Sequence, residues 1–128
     1  MNRTNIVFDT CAVIRLLNRQ YDVSTLGIDI DEAKLLASVV VRMELLAKPD
    51  LPVDEERHIR EFLNDLTIVP LDEAVEQKAV EILRATSTKL PDSIIAATAI
   101  VLDAILLTDD AKLLQLSWPG LRLRSTKL

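Results

Sequence analysis

Four acidic positions stand where carboxylates could act together. Asp9 follows the β-forming run Ile6-Val7-Phe8, Glu44 lies about one turn past a β-branched run, Asp92 sits beside Pro91 at a helix start, and Asp110, with its neighbour Asp109, follows Leu106-Leu107. Brought to one place, such carboxylates repel unless something positive lies between them. A hard divalent cation removes that conflict, since Mg²⁺ takes oxygen ligands and two such ions about 4 Å apart can clamp a phosphodiester. The single cysteine, Cys11, and the single histidine, His58, exclude a Cys/His-rich zinc pattern, so the donor chemistry favours Mg²⁺ or Mn²⁺. Each acid also has a plainer use. Asp9, or its neighbour Thr10, Asp92 and Asp109 or Asp110 suit helix starts, and Glu44 suits an i, i+4 pair with Lys48. Spacing alone leaves both readings open.

The elements that would position these acids follow from the hydrophobic pattern. Ile6-Val7-Phe8 predicts a strand, and Val13, Leu16 and Leu17 a helix after it; residues 21–31 show no sustained period and stay undecided. Ala37–Val41 predicts a second strand and Arg42–Lys48 a helix that Pro49 stops. Ile59, Phe62, Leu63 and Leu66 form the stripe of an amphipathic helix over Asp54–Leu66. Thr67–Pro70 reads as a strand, Asp72–Ser87 as a helix, and Asp92 to about Leu102 as a helix apolar nearly all round, and therefore interior. Ala104–Leu107 reads as a strand, Asp109 or Asp110 opens a short helix to Leu116, and Leu121–Arg124 alternates like an edge strand after the Trp118-Pro119-Gly120 turn. Strands alternating with helices predict an α/β fold: a mainly parallel sheet of about four to five strands with helices on both faces. In such a sheet the site lies beyond the carboxyl ends of the strands, which is where the four acids fall.

Composition removes other classes. The 128 residues suit one domain, 1–128, and the net charge of −5 gives no bulk field for nucleic acid, so any such contact must be local or metal-assisted. Two glycines leave no room for a P-loop or dinucleotide fingerprint, and four aromatic residues offer no stacking platform for bases. The longest apolar stretch, Ile94–Leu107, is interrupted by Thr98 and Asp103 and falls short of the roughly 18 residues that span a bilayer. With no signal-peptide pattern, a cytoplasmic location is expected.

Four segments, in order, resemble the motifs of PIN-domain ribonucleases, especially the VapC-type toxins of bacterial toxin–antitoxin pairs. Ile6-Val7-Phe8-Asp9-Thr10 is similar to the family's strand followed by Asp-Thr, and Ala37 to Leu46 to its strand and helix with a Glu-Leu-Leu step. Leu90-Pro91-Asp92-Ser93-Ile94-Ile95-Ala96-Ala97-Thr98-Ala99 resembles Leu-Pro-Asp-x-x-Ile-Ala-Ala-x-Ala, and Leu106-Leu107-Thr108-Asp109-Asp110 resembles Leu-[Val/Ile]-Thr-x-[Asp/Asn]. The resemblance covers about residues 5–124, with Cys11 in place of the usual Ser or Asn and Leu113 or Leu114 where an aromatic often follows the last acid. It implies a PIN-like single domain in which Asp9, Glu44, Asp92 and Asp110 are both the metal ligands and the catalytic acids, with Thr10, Thr108 and Asp109 ordering them from outside.

The expected activity is then Mg²⁺- or Mn²⁺-dependent endoribonucleolysis leaving 5′-phosphate and 3′-hydroxyl ends. The expected partners are RNA, a cognate antitoxin and a second copy of the chain as a homodimer, with no membrane association. Arg15 and Lys89 are the first candidates for RNA phosphates, ahead of Arg42, Lys48 and Lys112. Cys11 is expected to be a buried packing residue and His58 a boundary residue. The alternative is a catalytically weak or inactive PIN-fold interaction module, against which the full set of four acids counts. A phospho-accepting receiver or an aspartyl phosphatase would need a paired acid after the first strand or an Asp-x-Asp motif, and Phe8-Asp9-Thr10-Cys11 supplies neither.

Overall fold

Ile6, Val7 and Phe8 are wholly buried, so the first strand is covered on both faces, as a central strand of a parallel sheet must be. A computed structural model describes residues 4–127 and places β1 (Thr4–Phe8) in the middle of a five-stranded sheet of order β3-β2-β1-β4-β5, every pair parallel. Here β2 is Ala33–Ser38, β3 Thr67–Val69, β4 Ile105–Leu107 and β5 Arg122–Arg124. The chain builds outward from β1 to β2 and β3, then crosses to the other side for β4 and β5. The β1/β4 boundary is therefore the topological switch point, where open α/β sheets leave a crevice beyond the strand ends.

The crossovers are α1 (Thr10–Leu17), α2 (Val39–Leu46), α3 (Val53–Asn64), α4 (Glu73–Ala85) and α5 (Leu90–Val101), with α6 (Ala111–Leu114) before β5. The expected apolar helix is interior: Ser93 to Ala99 of α5 are all buried, and α5 touches β1, β2 and β4 as well as α2 and α4. On α3, Phe62 meets Phe8 edge to face with ring centroids 6.4 Å apart, and Ile59 and Leu63 are buried beside it.

The second strand departs from expectation. It lies earlier, at Ala33–Ser38, and Val39-Val40-Val41 opens α2 rather than closing a strand. The Ser38 side chain accepts the Val40 N–H at 3.1 Å, a capping bond that starts the helix in spite of the β-branched run. The undecided segment holds two short 3₁₀ turns, Val23–Leu26 and Ile30–Glu32, each capped by an aspartate. The edge strand β5 is confirmed at Arg122–Arg124, paired with β4.

Candidate functional site

Asp9 leaves β1 at its carboxyl end and is 3% exposed. Its backbone N–H bonds to the Leu107 carbonyl at 3.1 Å, so the ends of β1 and β4 are tied together at the switch point. One carboxylate oxygen, Oδ1, accepts the Ala12 N–H at 2.7 Å and caps α1; the other, Oδ2, accepts the Thr108 hydroxyl. Thr108, fully buried, in turn accepts the Asp110 N–H at 3.0 Å, so one hydroxyl joins the acid after β1 to the acid after β4. Thr10, the first residue of α1, donates to Glu44 Oε1 at 2.7 Å and links α1 to the second turn of α2. Asp110 caps α6 through Oδ1, which accepts the Lys112 and Leu113 N–H groups at 2.8 and 3.2 Å. Asp92 lies in the first turn of α5.

The charges of the four acids interact as a connected set. Burial pushes the Asp9 carboxyl up to about 6, assisted by the charges of Asp110 and Asp109 and opposed by the bonds from Thr108 and Ala12. Burial raises Asp92 as well, with Asp110 and Glu44 adding repulsion and Lys89 and Lys112 opposing it. Capping thus explains Asp9 and Asp110 locally but does not explain why like charges are gathered from four elements. Among the described residues no three His, Cys, Asp or Glu side chains close around a single point as they stand. Even so, no donor among the described residues reaches the Asp92 carboxylate, Glu44 Oε2 or Asp110 Oδ2, so hard oxygen lone pairs remain beside the repelling pairs. That donor set fits a hard divalent cation.

Other expectations change place. Arg15 is held inward: its Nε is 3.0 Å from Asp109 Oδ2 and 2.9 Å from Thr126 Oγ1, so it does not present a free cation to RNA. Asp109 lies outside the four acids, its charge acting on Asp9 while its own side chain is bonded to Arg15, Ser125 and Thr126. Burial pushes its carboxyl up, but bonds from Ser125 and Thr126 together with Arg15 outweigh this and hold it below the ordinary carboxylate value. Ser125 and Thr126, which were not singled out in the sequence, thereby lock the end of the chain onto α1 and the β4 loop; their distance along the chain from Asp109 hides any local signal. Cys11 is exposed rather than buried, and partial burial together with the charge of Asp9 raises its thiol pKa, which disfavours the thiolate. His58 is exposed and lines a groove of about 350 Å³ that α1, α2 and α3 share, where Ile14, Leu17, Leu45 and Ile59 lie beside Glu44. Lys89 is exposed beside Asp92.

Solved structures that share this fold include three assemblies from bacteria. The VapBC2 structure from Rickettsia felis, bound to a DNA fragment from their promoter, gives a TM-score of 0.81 at 20% identity, covering 95% of this chain and 98% of that one. A toxin–antitoxin complex from Klebsiella pneumoniae gives 0.73 at 22%, covering 94% and 97%. DNA-bound VapBC from Salmonella typhimurium gives 0.78 at 16%, covering 96% and 98%. No curated protein sequence matches the chain. The family model described as PIN domain matches residues 6–119, a span that contains all four acids, the last three residues of β1 and the whole of β2, β3 and β4, and the chain belongs to the PIN domain family.

Proposed function

We propose that the protein is a Mg²⁺- or Mn²⁺-dependent endoribonuclease and the toxin of a toxin–antitoxin pair, its 128 residues forming one catalytic domain. The observation that carries this reading is that hydrogen bonds tie three of the acids to the ends of β1 and β4, Thr108 joining Asp9 to Asp110 and Thr10 holding Glu44, while the charge of Asp110 adds to burial in raising the carboxyls of both Asp9 and Asp92. Asp9, Glu44, Asp92 and Asp110 would hold the ion or ions. When bound, a divalent cation supplies positive charge against the phosphate and makes water more acidic.

The chain's own groups supply the order. Ala12 N–H and Thr108 Oγ1 fix both oxygens of Asp9, Thr10 fixes Glu44, and the capping bonds at Oδ1 fix Asp110. These acids can then keep their positions without reorganising as charge develops. One of the carboxylates would take a proton from the attacking water as its oxygen bonds to phosphorus in line with the P–O3′ bond; that bond breaks and the departing 3′-oxygen takes a proton from solvent water, leaving 5′-phosphate and 3′-hydroxyl ends. The net charge of −5 does not prevent this, because the positive charge enters with the ion at the site itself.

The toxin assignment is supported by the relatives, one a toxin–antitoxin complex and two VapBC assemblies. An antitoxin segment would cover the apolar groove beside Glu44 and present a basic side chain to the acids. Exposed Met43, Val53 and Leu90 supply apolar surface for a homodimer. No helix among the described residues is long and apolar enough to cross a membrane. The second reading, a catalytically weak interaction module, draws on the absence of a closed three-acid cage among the described residues.

Purified protein freed of any partner is incubated with total tRNA and rRNA in Mg²⁺ or Mn²⁺. Discrete cleavage abolished by EDTA and lowered at least 100-fold in Asp92→Asn is the expected result. Absence of cleavage together with absence of Mn²⁺ binding by calorimetry transfers the protein to the second reading.

A further inference from the structure

A cleft of about 520 Å³ lies between the connection from α4 to α5 and the segment comprising α6 and the residues after it. This is within the range of sites that enclose a small organic ligand, about 300–1,000 Å³. Asp92 forms part of its wall, so the cleft opens onto the acid set at a different member from the groove beside Glu44. The other charged side chains in the wall are Lys89 and Lys112, both exposed and both near enough to draw the Asp92 carboxyl pKa down. Neither forms an ion pair among the described residues, whereas Arg15, Lys48, Arg57, Arg60, Lys78 and Arg122 do. In a chain of net charge −5, two unpaired cations in one concave wall are a local positive feature of the kind a polyanion needs. Ser87, Gln115 and Ser117 complete a neutral, hydrogen-bonding rim, and their side chains have no partner among the described residues.

We propose that this cleft holds the single-stranded RNA flanking the cleaved bond, with Lys89 and Lys112 on a neighbouring phosphate and Ser87, Gln115 and Ser117 facing ribose and base edges. The placement beside a cleaved bond rests on the nuclease reading; the lysine-dependent binding of RNA does not. Two phosphate contacts add affinity that is nearly independent of sequence and sensitive to salt, while hydroxyl and amide groups can bond to unpaired bases and to the 2′-hydroxyl. Without an aromatic side chain in the wall, recognition must come from these groups and not from stacking.

The test uses a fluorescein-labelled 12-nucleotide single-stranded RNA of mixed sequence, with binding read by anisotropy in EDTA from low to moderate salt. The full chain is compared with K89Q/K112Q and with the charge-preserving K89R/K112R. The expected result is binding by the wild-type chain, a loss of about tenfold or more in the Gln pair, retention in the Arg pair, and a salt slope shallower by about 1.4 in the Gln pair. Mn²⁺ binding by calorimetry should be retained in all three, since taking two positive charges away from Asp92 does not weaken its hold on a cation, and this separates loss of a phosphate contact from damage to the acid set. Wild-type binding and cleavage by the Gln pair would overturn the subsite and leave the nuclease reading intact, and so would a cleaving wild-type chain with no measurable affinity for the 12-mer. Lysine-dependent binding by a chain that never cleaves RNA with Mn²⁺ would instead uphold the cleft as an RNA site and remove the nuclease reading.

Discussion

At the residue scale, the environment of Asp9 works against its own charge. A carboxyl held at about 6 instead of the ordinary 3.8 implies that its ionised form weakens the metal-free folded state by about 2 to 3 kcal/mol at pH 7. Asp9→Asn keeps an oxygen to accept the Ala12 N–H and removes the charge, so the metal-free variant is expected to be more stable by about 1 to 3 kcal/mol in urea unfolding at pH 7. The same variant should lose Mn²⁺ binding, a stability–function conflict that a purely structural capping residue would not produce. Thr108 is the complementary case, since its hydroxyl serves Asp9 and Asp110 at once. Thr108→Val keeps the shape and removes both bonds. We expect Mn²⁺ affinity by calorimetry to fall about 10- to 100-fold, as when supporting partners of metal ligands are removed elsewhere. The sequence presented Asp9 and Thr108 as motif residues, but it could not show that the Thr108 hydroxyl donates to Asp9, because the two are 99 positions apart.

At the scale of elements, the acids depend on how each helix starts. Two of them, Asp9 and Asp110, are themselves the capping residues of α1 and α6, so capping and site formation use the same side chain through different oxygens. Glu44 depends on a start made elsewhere, at Ser38. Ser38→Ala removes a buried capping oxygen and is expected to cost about 1 kcal/mol of stability by urea unfolding. Local propensity placed this boundary incorrectly, since Val39-Val40-Val41 favours a strand; the pairing of β2 with β1 over Ala33–Ala37 and the cap at Ser38 override it. By contrast α5 was legible, because a helix apolar around its whole circumference has no stable place except the interior.

For the whole molecule, stability should respond to pH in two opposed ways. Asp9 has a raised carboxyl, so the folded state takes up a proton before the unfolded chain does, and metal-free stability should rise as the pH falls from about 7 toward 4. Asp109 has a lowered carboxyl, so its contribution is present above 3.8 and is lost as the pH falls further. Thermal unfolding in EDTA is therefore expected to show a maximum on the acid side of neutrality, and the limb between pH 7 and 4 should flatten in Asp9→Asn. A monotonic fall in stability from pH 7 downward would contradict this electrostatic account. The sequence by itself determined the alternation of strand and helix, the interior helix and the four acids near strand or helix ends, because hydrophobic period and capping chemistry are local properties. Only the tertiary structure decided that the acids form one interacting set, that Arg15 turns to Asp109 and Thr126, and that Lys89 and Lys112 share a cleft with Asp92. Those outcomes depend on the order of strands about β1, which brings together residues from opposite ends of the chain, and on burial, which sets the cost of charge.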